Sequence, residues 1–315
     1  MRFAQTVVAV VWDVDNTLIP GYMQAPLFRR FGVDEAGFWR EVDALPEHYK
    51  RMGCRRVNRD GLYLHHLLAY VRAGIMPGLS NRMLEELGAE LTCFPGIPAL
   101  LPALQQQVAT DALAVAHGIT VEHYAISSGL AAMVRGSVLA PHLAGIWASE
   151  LIAGHPGPGW LDRAPEAAGP DAPVQAVGFT IDNTAKTRAL VEISKGTDHD
   201  ARLEVNAAIR PEDRRIPMTN LIYVADGPSD VPVFSYLKGQ GGRCYAVYRP
   251  GDAAAFRTAR SLLDQGRVHA FGPADYTAGG QTWLWLSETV RELARGIATT
   301  RDVALAGRIG TPPRG

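Results

Sequence analysis

The sequence predicts a doubly wound, Rossmann-like α/β fold: a parallel sheet core with an α-helical cap domain inserted after its first strand. Three observations carry this. Residues 6–12 form a continuous, mostly β-branched run, the pattern of a strand buried on both faces of a parallel sheet. Further short apolar runs at 121–126 and 221–225 alternate with segments of helical period. Between the first run and the next, residues 21–91 read as helix throughout. The expected division is therefore 1–19 with 93–315 as the α/β core and 20–92 as the cap.

Taken in order, the elements read as follows. In the insertion, Leu62, His65, His66, Ala69 and Tyr70 recur at helix spacing, as do Met83, Leu84, Leu87 and Leu91. Ser80-Asn81 opens the second of these helices as an N-cap, with a glutamate following for a capping interaction. Phe94-Pro95-Gly96-Ile97-Pro98 is a turn leading into a helix that ends near Val108. The strand at 121–126 is less uniformly apolar because of Glu122 and His123. It is expected to stop at Ser127-Ser128-Gly129, before a helix. Residues 150–153 and 174–181 read as strands joined by a Gly/Pro-rich loop, 155–173, long enough to be expected on the surface and mobile. Helix over 183–193, strands over 221–225 and 244–248, and an amphipathic helix over 281–295 follow. The closing GRIGTPPRG reads as a frayed tail.

A chain of 315 residues can bury a sizeable core. Its net charge of −1 gives no field that would draw it to nucleic acid or an anionic membrane. Cys54, Cys93 and Cys244 are far apart and form no CxxC pair, which argues against a zinc site and a disulfide framework. That usage fits a reducing compartment, so a cytoplasmic location is expected. Asp13 and Asp15 interrupt the N-terminal apolar run and no small-residue cleavage site follows, so no signal peptide is expected. No apolar stretch has the length of a bilayer span.

The chemistry lies where the strands stop. In open α/β sheets, ligands bind at the carboxyl ends of the strands. Three strands end in polar groups, Asp13 with Asp15, Ser127, and Asp226, and a lysine, Lys186, stands at the start of a helix. Phosphoryl transfer through an aspartate needs these types. One carboxylate attacks, a second handles the proton, and a lysine and a hydroxyl hold the charged oxygens. Three carboxylates without histidine or cysteine ligands suit a hard cation, magnesium above all.

The same residues resemble the motifs of the haloacid dehalogenase superfamily, and among its members the phosphoserine phosphatase-like group. Asp13-Val14-Asp15-Asn16-Thr17 matches the first motif, Ser127 the second, Lys186 the third and Ala225-Asp226-Gly227-Pro228-Ser229-Asp230 the fourth. The resemblance implies a magnesium-dependent phosphatase of small phosphomonoesters, working through an aspartyl-phosphate. Asp13 would be the nucleophile and Asp15 the general acid/base. Ser127 and Lys186 would hold phosphoryl oxygens, with Ser128 as the fallback for Ser127, and Thr17 would brace the nucleophile loop. Magnesium would be held by the Asp13 carboxylate, the Asp15 carbonyl and Asp226. Asp230 would lie near the metal or orient Lys186. Phosphoserine phosphatases carry a glutamate shortly after the first motif, whereas Leu18-Ile19-Pro20-Gly21-Tyr22-Met23-Gln24 holds no acid, which argues against free phosphoserine. The competing readings are a phosphate-binding or regulatory protein on the same scaffold, and a dehalogenase.

Three features stand outside these motifs. The run from Lys50 to Arg59 is the densest charge cluster, either a solvated face or a set of cations for an anionic leaving group. His65-His66 in an apolar helix reads as packing rather than metal binding. Trp283 and Trp285 are expected to cover the sheet edge or to form a homo-oligomer contact. The expected partner is a small phosphorylated metabolite.

Overall fold

The computed structural model describes residues 3–154, 156–163, 169–200 and 203–309. Strand β1, Val7–Trp12, lies at the centre of a seven-stranded sheet. The others are β2 (Thr120–Leu130), β3 (Gly145–Ile152), β4 (Ala176–Phe179), β5 (Leu221–Ala225), β6 (Arg243–Tyr248) and β7 (Ala270–Pro273). Their order is β4-β3-β2-β1-β5-β6-β7. Every neighbouring pair is parallel except β3 with β4, so the expected all-parallel sheet carries one antiparallel edge strand. An edge strand as short as β4 can run either way, because no crossover helix has to cover it.

The alternation of side chains along β1 builds two cores. Val8, Val10 and Trp12 enter one apolar cluster and Ala9 and Val11 the other. Helices α5 (Leu100–Ala109), α7 (Ala131–Gly136) and α11 (Gln281–Ile309) cover the first face. Helices α8 (Asn183–Lys195), α9 (Val231–Gly239) and α10 (Ala253–Asp264) cover the second. Short helix α6, Ala112–Ala116, packs beside α5 and α11. No helix among the described residues is long and apolar enough to cross a membrane.

Between β1 and β2 lie α1 (Ala25–Phe31), α2 (Glu35–Arg51), α3 (Leu62–Arg72) and α4 (Asn81–Gly88). The backbone leaves and re-enters at neighbouring points, where Phe94 N donates to Leu18 O at 2.9 Å. Helix α4 returns to the sheet by packing on α7 at two glycines. A Cβ on Gly88 would stand 2.2 Å from Met133 O, and one on Gly136 1.8 Å from Glu85 O.

Several expectations shift. The buried face of α3 is Leu62, Tyr63, Leu64, Leu67 and Leu68; of the expected stripe Leu62 belongs to it, while His65 and Ala69 are exposed. Its histidines therefore border the face instead of forming it: His66 bonds Glu41 at 2.7 Å and packs on Phe38 and Tyr70. Ser80 does cap α4, accepting from Met83 N, but the glutamates that follow bind arginines, Glu85 with Arg135 and Glu86 with Arg82. Strand β2 runs through Ser127-Ser128-Gly129 to Leu130, with a register irregularity against β3 between Ile126 and Leu130. Helices α9 and α10 and strand β7 were not read from the sequence, although α10 is amphipathic and opens on an Asp252 cap. Trp285 stacks on Tyr245 with ring centroids 4.5 Å apart, and both Trp283 and Trp285 pack against the core, covering strand β6 inside the sheet's edge. In the 155–173 loop, Trp160 and Leu161 are exposed as expected, while 155 and 164–168 lie outside the described residues. Of the expected tail, 307–309 continue α11 and 310–315 lie outside them.

Candidate active site

Strand β1 hands its pairing on to the next residue: Asp13 N donates to Val224 O at 2.9 Å. The chain then turns sharply, with Thr17, Leu18 and Ile19 all donating their N–H groups to Val14 O. Asn16 supplies the left-handed residue that this turn requires (φ 57°), a conformation asparagine tolerates better than other side-chain-bearing residues. Its side-chain oxygen accepts from Gly21 N at 3.1 Å and closes the loop. Thr17 Oγ1 donates to Asp13 Oδ2 at 3.2 Å, which ties the turn back to the end of β1.

Lys186 projects from the first turns of α8, which Asp182 caps by accepting from Thr184 N and Ala185 N. Its ammonium is almost wholly buried, 2.8 Å from Asp13 Oδ1 and 2.7 Å from Asp230 Oδ1. Asp230 is fixed further by Tyr223, whose hydroxyl donates to Oδ1 at 2.5 Å, and by Ser229 at 2.7 Å. Asp13, Asp226 and Asp230 each offer an oxygen, and these oxygens lie within 4.8 Å of one another. Segments 173 and 217 residues downstream of Asp13 thus meet it at one point.

Three carboxylates share one ammonium, and the imbalance governs their protonation. Burial raises the Asp13 carboxyl; Lys186 draws it down and Asp230 pushes it up again, to about 6. Burial and then the charges of Asp13 and Asp230 hold Asp226 well above the ordinary carboxylate range. Burial disfavours the charged form of Lys186, but the charges of Asp13 and Asp230 outweigh it and keep the ammonium protonated. Asp15 lies just outside the cluster, where its Oδ1 accepts from Met23 N at 3.0 Å. Burial, then the charge of Asp13, pushes it up to about 8.

Ser127 is buried at the same end of the sheet. β1 pairs Trp12 with Ala125, which sets Ser127 one residue beyond the strand position level with Asp13. Its Oγ accepts from Gly129 N at 3.0 Å, which leaves the hydroxyl proton free to donate elsewhere. A Cβ on Gly129 would stand 2.3 Å from Met23 Cε, and Leu130 N donates to Met23 Sδ. The loop after β1 and the end of β2 are therefore locked together through Met23.

The structure also brings in residues the sequence reading missed. Tyr63 of α3 donates to Ser128 O at 2.7 Å, Ser149 Oγ donates to the same carbonyl, and Ile181 N donates to Ser149 Oγ. Tyr223 is the residue that had a sequence signal: a tyrosine in the middle of an otherwise apolar buried strand needs a partner for its hydroxyl.

The four motif segments thus lie after β1, within β2, on helix α8 and after β5. No family model matches the chain. An uncharacterised protein of Borreliella burgdorferi is 33% identical over 293 residues, which span 92% of this chain and 99% of that one. The chain belongs to the same family as that protein. Among solved structures it is similar to a haloacid dehalogenase family hydrolase of Salmonella enterica serovar Typhi, with TM-score 0.47 and 16% identity over 84% of this chain and 66% of the other. It is also similar to a phosphoserine phosphatase captured as a phospho-aspartyl intermediate analogue, with TM-score 0.45 and 14% identity over 84% and 93%. At these identities and scores the likenesses carry no information about substrate.

Proposed function

We propose that the protein is a magnesium-dependent phosphatase of small phosphorylated metabolites that works through an aspartyl-phosphate on Asp13, with residues 20–92 as a cap over the site. The observation that carries the reading is Lys186 bridging Asp13 and Asp230 beside Asp226. That arrangement leaves one attacking carboxylate oriented, one cation fixed for a phosphoryl oxygen, and negative charge in surplus.

The surplus and the donor chemistry fit a hard divalent cation, since all the converging atoms are oxygens. Asp13, Asp226 and the Asp15 carbonyl would hold it, with Asp230 close by. When bound it would offset the repulsion between carboxylates and phosphate and help orient the phosphoryl group.

The residues divide the remaining work. Thr17 and Lys186 hold the Asp13 carboxylate while one of its oxygens forms a bond to phosphorus and the bond from phosphorus to the leaving oxygen breaks. Asp15, held protonated near neutral pH by burial and by the charge of Asp13, gives its proton to that leaving oxygen. It then takes a proton from the water that releases phosphate from Asp13. The Ser127 hydroxyl and the Lys186 ammonium donate to the phosphoryl oxygens as their charge grows. Dehalogenation has no need of a second and third carboxylate at cation distance, so the surplus argues for phosphate chemistry.

Purified protein is expected to hydrolyse p-nitrophenyl phosphate with magnesium and to stop with EDTA. Activity that survives EDTA, or that persists in Asp13→Asn, would refute the mechanism. Tight phosphate binding without turnover would favour the regulatory scaffold.

A further inference from the structure

The basic run between Lys50 and Arg59 borders a cleft of about 480 Å³ between the end of α2 and the loop that follows it. Its walls carry Lys50, Arg55, Arg56 and Arg59 against Asp43 and Glu47. Glu47 lies 3.8 Å from Lys50. The guanidinium groups of Arg55, Arg56 and Arg59 have no hydrogen-bond or ion-pair partner among the described residues. A solvated face accounts for exposed cations scattered singly. It does not account for three unpaired guanidiniums around one concave space.

Two connections tie this cleft to the carboxylate cluster. The first runs along one face of α2, where Trp39, Asp43, Glu47 and Lys50 follow at helical spacing. Trp39 packs on Tyr22, with ring centroids 5.0 Å apart. Burial, then the negative charges of Asp15, Asp226 and Asp43, raises the Tyr22 phenol, so this half-exposed ring lies within electrostatic reach of the cluster and of Asp43 at the cleft wall. Asp43 begins the cleft about 6 Å further along the helix axis than Trp39. The second connection is at the opposite wall. Asn58 Nδ2 donates to Asp182 Oδ2 at 3.0 Å, and Asn183 N donates to Asp60 Oδ2 at 3.3 Å. Those contacts fix the arginine loop to the N-terminus of α8, one turn from Lys186.

We propose that this cleft receives a second anionic group, phosphate or carboxylate, carried on the leaving half of the phosphomonoester, so that the substrates are small molecules charged at both ends. The proposal rests on the phosphatase reading above. Guanidinium groups suit it because their planar donors match either anion in a bidentate way. Their exposure predicts that the effect weakens with salt.

The test compares monophosphate esters of three matched alcohols: a neutral diol, a hydroxy acid, and a phosphorylated diol. The wild-type kcat/KM is expected to favour one or both charged esters over the neutral one by about tenfold or more, with the preference falling as salt rises. In R55Q/R56Q/R59Q the ratio should collapse towards one, chiefly through KM. The corresponding triple lysine variant, which keeps the charge, should retain part of it. Melting curves of both variants establish that they fold. If wild-type protein hydrolyses the neutral ester as well as the charged ones, or the glutamine variant keeps the preference, the cleft proposal is overturned and the phosphatase reading stands. If neither these esters nor p-nitrophenyl phosphate is hydrolysed with magnesium, the phosphatase reading fails and takes the proposal with it.

Discussion

Helix α8 has a charge cluster at each end, a buried one at its N-terminal end and a half-buried one at its C-terminal end, and the two are built differently. At its N-terminal end, Lys186 faces Asp13 and Asp230, with Asp226 in the same cluster. At its C-terminal end, Gly196 leaves room for Arg215, whose guanidinium binds both carboxylate oxygens of Glu122, at 2.7 Å through Nη1, with Tyr124 donating to the same group. In the second cluster one guanidinium meets one carboxylate directly, with the Asp198–His199 pair close enough to act on both. The first is overdrawn in negative charge. Balance is what a purely structural ion pair requires, because an uncompensated buried charge costs several kcal/mol. On the proposed reading, a bound cation would offset the imbalance at the N-terminal end.

The contrast can be broken experimentally. Asp13→Asn should have the largest effect on function, lowering p-nitrophenyl phosphate turnover by roughly 10³-fold or more in steady-state assays. It should nonetheless leave the melting temperature at or above that of the wild type, since it relieves the repulsion from Asp226 and leaves Lys186 paired with Asp230. A large loss of stability in that variant would mean the cluster is balanced after all. Lys186→Met should cost about 3–5 kcal/mol in chemical denaturation, because Asp13 and Asp230 would face each other without a cation.

At the C-terminal end, Arg215→Met should cost less, about 1–3 kcal/mol, as the pair is partly open to solvent. Burial works to raise the Glu122 carboxyl, but the Arg215 and Tyr124 hydrogen bonds win and hold it below its ordinary value of 4.5. A carboxylate lowered in this way adds stability that is full above 4.5 and is lost as the pH falls through the folded value. The gap between wild type and Arg215→Met in urea melts should therefore narrow below about pH 4.5. A gap that widened in acid would contradict the assignment. The smallest expected effect is a rise of a few degrees in melting temperature with millimolar magnesium, absent in Asp226→Asn, as mass action on a folded-state site requires.

Much of the candidate site was legible because its groups sit where apolar runs end. The runs before Asp13 and Asp226 stop at a carboxylate, and a polar residue at the end of a buried strand stands out against its neighbours. Lys186 was harder to single out, with Arg188 and Lys195 close by; Lys195 is buried too, and only their partners separate them, Asp13 and Asp230 for Lys186, backbone carbonyls of Val205 and Ala207 for Lys195, and Glu192 for Arg188. Tyr63 was missed because it lies inside an apolar pattern and looks like core until its hydroxyl partner is known, whereas Tyr223 inside a buried strand pointed to a partner without saying which. The C-terminal pair was invisible for another reason: Glu122 and Arg215 are 93 residues apart, and nothing local to either indicates the other. Within α3 the period was right and the phase wrong, because the alternative stripe containing His65 and Ala69 has the same spacing as the buried one.

The central place of β1 has a consequence for how the molecule is made. Its pairing partners are β2, about 110 residues downstream, and β5, beyond residue 220. During synthesis at roughly 5–20 residues per second, β1 leaves the ribosome some 10–40 s before β5 does. For that interval Val7–Trp12, an apolar segment with high strand propensity, has no neighbour on one side. Asp13 and Asp15 follow it directly, and like-charged residues flanking such a segment discourage association between nascent chains. The carboxylates proposed for chemistry in the finished protein would thus also shield the strand while it waits.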